Sequence, residues 1–287
     1  MEYAFAIADV FTRRPFGGNQ LAVIPDARGL PETAMRDLAR EFGFSETAYV
    51  LPPQDACHTC RLRIFTPNGE LPFAGHPTIG TASVLTAGGW ADAGELVFEE
   101  GIGPITVYTD GLFSRLTLNT PLDAPGHQPP AAAIAGALSL PEADLLDCWY
   151  AGTGLNFCYV HLASAEAVDR AVLDKARWAA DLADGWSPHL YVFAGELRTG
   201  GHLYARAFVP ANGVEEDPAT GSACAGLVAS FADRCADGEC LLTIEQGVRM
   251  GRPSIIEATA RTEGGRLACV TVAGSTAIVA RGTITLD

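Results

Sequence analysis

The sequence predicts an α+β protein built of two similar lobes. Three observations carry this expectation. Strand-like and helix-like segments alternate irregularly along the chain, an ordered set of short motifs from the first half returns in the second, and a proline-rich stretch separates the two sets. That stretch, residues 119–133, holds four prolines and few large apolar side chains. The predicted lobes are residues 1–118 and 119–287, with the final strand able to return to the first lobe.

The elements follow in order. Residues 3–11 have the length and composition of a strand, the loop RRPFGGN follows, and residues 20–24 read as a second strand. A helix is predicted over 32–43. Pro31 suits an early helical position, Glu32 lies near the positive end, Met35, Leu38, Ala39 and Phe42 share one face, and Gly43 stops the run. Ser45-Glu46-Thr47 leads into a strand over 48–51, and residues 61–65 alternate as another. The run TPNGELPFAGHPTIGTASVLTAGG crosses a glycine- and proline-rich loop into a small-residue helix over 77–87, suited to close burial within a curled sheet. Strands are read at 95–99 and 105–108. Short helices are predicted within AIAGALSLPEADLLDCW, and longer ones over 165–181 and 221–233. Further strands are expected near 155–160, 189–194, 202–209, 240–245, 267–272 and 275–285.

Composition excludes several functions. A net charge of −15 repels a phosphate backbone, so nucleic acid is not an expected partner. An apolar content of 48% is ample for packed cores and excludes a chain disordered throughout. No apolar run reaches the ~18 residues of a membrane span. The opening MEYAFAIADVF lacks a basic leader, and eight cysteines in so long a chain are not a dense disulfide framework. These features predict a cytoplasmic protein with mostly reduced thiols.

The internal repeat is the strongest signal. Ser45-Glu46-Thr47-Ala48-Tyr49-Val50 parallels Ser187-Pro188-His189-Leu190-Tyr191-Val192, and RLRIFTP at 61–67 parallels YARAFVP at 204–210. Asn68-Gly69 parallels Asn212-Gly213, GHPTIGTA at 75–82 parallels EDPATGSA at 216–223, and Glu99-Glu100-Gly101 parallels Glu245-Gln246-Gly247. The order and the nearly constant displacement predict duplication. Two equivalent helix entries can then present unsatisfied backbone N–H groups to one anionic ligand, with Gly80 and Gly221 permitting close approach and Thr81 and Ser222 adding hydroxyls. Neither loop is a nucleotide P-loop.

Chemistry is sought where the halves differ. In this alignment Glu46 stands opposite Pro188, and His76 opposite Asp217. In a dry setting Glu46 would have a raised pKa suited to acid/base work; its plainer role is a surface or capping carboxylate. His76 can donate to a substrate oxygen or shuttle a proton, or make a structural hydrogen bond. Asp217 can cap its helix, orient His76 or receive a substrate amine. Asn19, Gln20 and Asn156 offer polar contacts to a ligand, with turn chemistry as the simpler reading. Cys57-His58-Thr59-Cys60 lacks a second ligand pair, and Cys235 with Cys240 is not a standard half-site, so no metal is expected. Cys224 reads as a small buried residue.

Gly18-Asn19, SET at 45–47, TPNGELPFAGHPTIGTA at 66–82 and EDPATGSA at 216–223 together resemble the phenazine-biosynthesis PhzF-like family, over nearly the whole chain. The resemblance implies a diaminopimelate-epimerase-like fold, each lobe a curved, largely antiparallel sheet wrapped around a central helix. It also implies a cofactor-free active site between the lobes and a homodimer. Glu46 matches the family's acid/base glutamate. His76, Asp217 and the Gly221-Ser222 loop match residues that orient substrate, and Gly75 lines the same place. Related epimerases use two cysteines. Here Ala74 takes the place of the first, and Cys224 lies beyond the stretch where the second would be. The expectation is therefore an isomerase moving a proton between carbons of a small unsaturated amino- or hydroxy-carboxylic acid. An epimerase or dehydratase on a related acid, or a noncatalytic small-molecule binder, stands as the alternative.

Overall fold

The structure is a computed structural model and describes residues 1–233 and 238–286. Cys235 lies outside them. The chain divides into two compact units. One comprises Met1–Thr117 and the chain from Ala273 onward; the other is Leu118–Val272.

The first unit contains β1 (Glu2–Val10), β2 (Asn19–Ile24), α1 (Glu32–Phe42), β3 (Glu46–Leu51), β4 (Cys60–Thr66), β5 (Gly69–Leu71), α2 (Gly75–Ala87), β6 (Gly94–Glu100), β7 (Gly103–Thr109) and β8 (Phe113–Leu118). Its strands lie in the order β1-β2-β3-β4-β6-β7-β8, with β5 beside β4. Two neighbours, β2–β3 and β4–β6, are parallel, and the helices α1 and α2 provide the crossovers such pairs need. The pairs β1–β2, β3–β4, β4–β5, β6–β7 and β7–β8 are antiparallel. The last strand, β16 (Arg266–Thr285), pairs antiparallel with the other side of β1.

The helix α2 carries no charged residue and is buried from His76 to Leu85. A helix apolar all round belongs inside a domain, and α2 packs against β1, β2, β3 and β7 of one sheet. The opposite face of that sheet takes α1, where Met35, Leu38 and Ala39 meet Tyr3, Tyr49 and Phe65. Gly43 ends α1 with φ 65°, the left-handed conformation glycine adopts freely.

The second unit contains α3 (Ala131–Ala137), β9 (Leu145–Gly152), β10 (Asn156–Leu162), α4 (Ala165–Arg170), α5 (Lys175–Asp181), β11 (Leu190–Gly195), β12 (Gly201–Val209), β13 (Val214–Asp217), α6 (Gly221–Ala232), β14 (Gly238–Gln246) and β15 (Ser254–Glu263). Its pairings repeat those of the first unit from β1 to β7. Strands β9–β10 are antiparallel, β10–β11 parallel, β11–β12 antiparallel, β12–β14 parallel and β14–β15 antiparallel, with β13 beside β12. The enclosed helix is α6, and α3, α4 and α5 cover the outer face. The duplication read from the motifs is thus a duplication of topology.

The registers correct the alignment at one place. Thr47 pairs with Phe65, and Leu190 with Phe208. Phe65 and Phe208 are equivalent, since each lies beneath an arginine two residues earlier, Arg63 at 5.0 Å and Arg206 at 4.8 Å. Thr47 therefore corresponds to Leu190, and Glu46 to His189 rather than Pro188. The faces agree. The Tyr49 hydroxyl donates to Met35 O on the α1 side, whereas the Tyr191 hydroxyl meets Cys224 Sγ and Gln246 Oε1 on the α6 side. A one-residue slip turns a strand over.

Other expectations are corrected too. The helix expected over 165–181 is two, because Ala171 leaves helical geometry and the Asp174 side chain caps α5 through the amides of Ala176 and Arg177. LLDCWYAG is the strand β9, not the end of a helical run. The strands expected at 267–272 and 275–285 are one, β16. Strands β8 and β15 were not anticipated.

Candidate functional site

Glu46 opens β3, directly after the turn that ends α1. Its side chain is only 17% exposed, and Oε2 is buried without a hydrogen bond among the described residues. That oxygen lies 3.5 Å from His76 Nε2, beyond a good hydrogen bond but within reach of a small shift. Burial raises the Glu46 pKa, and a hydrogen bond with Ser45 offsets part of the rise. The Ser45 hydroxyl also lies 3.3 Å from Asn19 Oδ1, so the buried Asn19 at the start of β2 belongs to the same cluster. The preceding Gly18 is obligatory. With φ +60°, its added Cβ would come within 2.2 Å of Val10 O.

His76 is the second residue of α2 and is buried. Gly75 begins the helix, and a Cβ there would meet nothing nearer than Leu116 Cδ2 at 4.0 Å. The amides of Gly75 and His76 precede the first intrahelical bond, Thr78 N to Ala74 O, at the positive end of the helix.

Gly80 and Thr81 stand elsewhere than expected. Gly80 is the sixth residue of α2, past the turn with available amides, and both residues are fully enclosed. Gly80 is there for packing, since an added Cβ would lie 2.5 Å from Val10 Cγ2 and 2.6 Å from Leu21 Cδ2. Gly80→Ala is expected to lower stability by about 1–3 kcal/mol through overpacking, against a helix-propensity gain of at most about 1 kcal/mol. The urea midpoint measures the balance.

In the second unit, Asp217 ends β13. Thr220, not Asp217, is the N-cap position of α6, which corrects the capping role considered for the aspartate. The Thr220 hydroxyl donates to Asp217 Oδ2 at 2.5 Å, and Gln246 Nε2 donates to the Asp217 carbonyl at 2.7 Å. Gly221 begins α6 and is buried; Ser222 is the only residue of that first turn left partly exposed. Gln20 and Asn156 are half-buried residues of β2 and β10.

Neither helix entry presents a thiol. Ala74 is the N-cap position of α2. Cys224 is enclosed in α6 against the Tyr191 hydroxyl, and burial pushes its thiol up to about 12. His58 is bound to Glu99 at 3.0 Å, and Cys60 is buried. Sequence reading missed His189, the counterpart of Glu46. It is buried, its Nδ1 has no hydrogen bond among the described residues, and burial lowers its pKa to about 4. A neutral imidazole among aromatic rings replaces the carboxyl of the first unit, with Phe157 5.7 Å away. No described helix is long and apolar enough to cross a membrane.

A sheet enclosing one buried helix, built twice with the same pairings, is the α+β fold shared with PhzF-family and proline racemase structures. The chain belongs to the family described as phenazine biosynthesis-like protein, whose profile matches residues 8–282. It is 38% identical over 302 residues to an uncharacterized isomerase of Mesorhizobium japonicum, covering 97% of each chain. It is 35% identical over 286 residues to the trans-2,3-dihydro-3-hydroxyanthranilate isomerase of Pseudomonas aeruginosa, covering 98% of each. A crystal structure of a Bacillus anthracis phenazine biosynthesis protein of the PhzF family shares the fold, with TM-score 0.88, 24% identity and full coverage of both chains. The chain is thus a member of an enzyme family whose named relatives are isomerases.

Proposed function

We propose that the protein is a cofactor-independent isomerase that moves a proton between carbons of a small unsaturated amino- or hydroxy-carboxylic acid, with Glu46 as both acid and base. One observation carries the reading: a largely buried carboxyl whose inner oxygen has no hydrogen bond among the described residues, 3.5 Å from an imidazole. Desolvation raises its pKa toward the range where a carboxyl can both accept and return a proton. A single carboxyl suits a shift on one face of the substrate. Inversion needs groups on two faces, and the helix entries carry no thiol pair to supply them. His76 assists the transfer, and the amides of Gly75 and His76 hold developing negative charge. Asp217, Gly221 and Ser222 take substrate-holding roles, and Asn19 supports the Ser45–Glu46 turn. The active form is assigned as a homodimer.

The test is incubation in deuterated water with a panel of such acids, beginning with trans-2,3-dihydro-3-hydroxyanthranilate, read by mass spectrometry. Prolonged incubation allows reversible turnover to exchange the proton held on Glu46 with solvent. One acid is expected to isomerise and gain deuterium at carbon. An acid that binds with neither change would make the protein a carrier and overturn the reading.

A further inference from the structure

We infer that Glu100 is an uncharged carboxylic acid that donates a hydrogen bond to Thr78 and so fixes the entry of α2, the turn that holds His76; it is a positioning residue. Thr78 Oγ1 lies 2.8 Å from the Ala74 carbonyl and 2.8 Å from Glu100 Oε1. A hydroxyl has one proton to donate, and a carbonyl has none. If Glu100 were a carboxylate, Thr78 could satisfy only one of its two oxygen neighbours. A protonated Glu100 resolves this: it donates to Thr78, and Thr78 donates to Ala74. The chain of bonds closes the turn from Ala74 to Thr78, with His76 inside it.

The second carboxyl oxygen points the same way. Glu100 Oε2 is buried with no hydrogen bond among the described residues. An ionised carboxylate in that position would be a buried charge lacking a compensating donor, whereas an acid carbonyl costs much less.

The duplicated unit ties its own helix entry to the same strand position through an amide. Glu100 is the last residue of β6, and Gln246 is the last residue of β14. Gln246 Nε2 donates at 2.9 Å to Oγ1 of Thr220, the N-cap of α6 where α2 has Ala74, and the Thr220 hydroxyl donates to Asp217 Oδ2. The amide is a donor at any pH. Glu100 can play that part only while protonated. Burial raises its pKa to about 8, in agreement with the geometry.

Several charged or titratable groups surround Glu100. Cys60 on β4 is raised to about 12 chiefly by burial, and Glu99 on β6 is held at about 2 by the amides of Asp55 and Gln54. His58 lies against Glu99. Arg61 and Arg63 line the same cavity as Glu100, about 470 Å³ in volume; Arg63 is engaged by Glu70 and Glu32. Glu46 lies beyond His76. All of these are common to the wild type and a Glu100 variant, so comparing the two isolates Glu100.

The relevance to catalysis rests on the role given to His76, but the test does not. Wild type, Glu100→Gln and Glu46→Gln are compared from about pH 5 to about pH 9 by thermal melting and by NMR of the His76 ring. A carboxyl with a raised folded pKa stabilises below its unfolded value and loses that contribution as pH rises through the folded value. Glu100→Gln should therefore melt with wild type at the acid end and several degrees above it at the alkaline end. The His76 resonances should show a transition near pH 8 in wild type and in Glu46→Gln, and none in Glu100→Gln. A Glu100→Gln protein that fails to fold, melts below wild type throughout or keeps the transition overturns the inference. Loss of the transition in Glu46→Gln alone assigns it to Glu46 and also overturns it.

Discussion

Replacing Glu46 with Gln is expected to lower kcat by about 10²–10⁴-fold, the range that positioned acid/base catalysis supplies. The amide keeps the shape of the carboxyl but neither accepts nor returns a proton. The fold should survive, and stability should rise at neutral pH. Burial raises the Glu46 pKa, so the folded state prefers the protonated carboxyl. The unfolded chain ionises from its ordinary value of 4.5 upward, which favours unfolding progressively as pH increases. Gln does not titrate, so the variant's advantage should begin above that value and widen with pH. Steady-state kinetics with the acid found by deuterium uptake, paired with melting curves across pH, measures both effects. Retained kcat in the folded variant would remove Glu46 from the chemistry. Lost activity with lost folding would point to a structural carboxyl instead.

Arg206→Met is expected to cost about 3–5 kcal/mol, the range for removing one partner of a buried ion pair. Arg206 and Glu216 are 10% and 16% exposed and meet through two 2.8 Å hydrogen bonds. Arg206 Nη1 also donates to Val168 O at 3.0 Å and Ala171 O at 2.7 Å, which closes the end of α4. The variant leaves a nearly buried carboxylate and two carbonyls without their donor. Adding Glu216→Gln should recover part of the loss. The equivalent Arg63 bonds Glu32 and Glu70, which are 49% and 34% exposed, so water compensates for its removal and the cost should be about 1 kcal/mol. Urea unfolding of the variants measures the contrast. Equal losses at the two arginines would show that burial does not set their worth.

Much of this arrangement was legible in the sequence because glycine and proline loops punctuate both units at similar spacing. The small-residue run at 77–87 reads as an enclosed helix for the same reason it is one: it offers no polar face. The exact strand register was not legible. Both SETAYV and SPHLYV place a tyrosine in an apolar run, and matching the tyrosines conceals that they face opposite sides of their sheets. Gly80 was misjudged because a loop-like motif, GHPTIG, already lies inside a helix that starts at Gly75. The nearness of Glu46 to His76 is a tertiary fact, and the resemblance of motifs could point to it only indirectly. The exchange of Glu100 for Gln246 was visible in the aligned triplets, but its meaning required the oxygen positions around Thr78.

The strand β16 gives synthesis of this chain an asymmetry. Strand β1 pairs on one flank with β2, which follows it closely, and on the other with residues 276–285. A ribosome delivers the first partner almost at once and the second only after β15 has been made. Until then β1 keeps one row of backbone donors and acceptors open, a template for unwanted pairing that the folded molecule has covered.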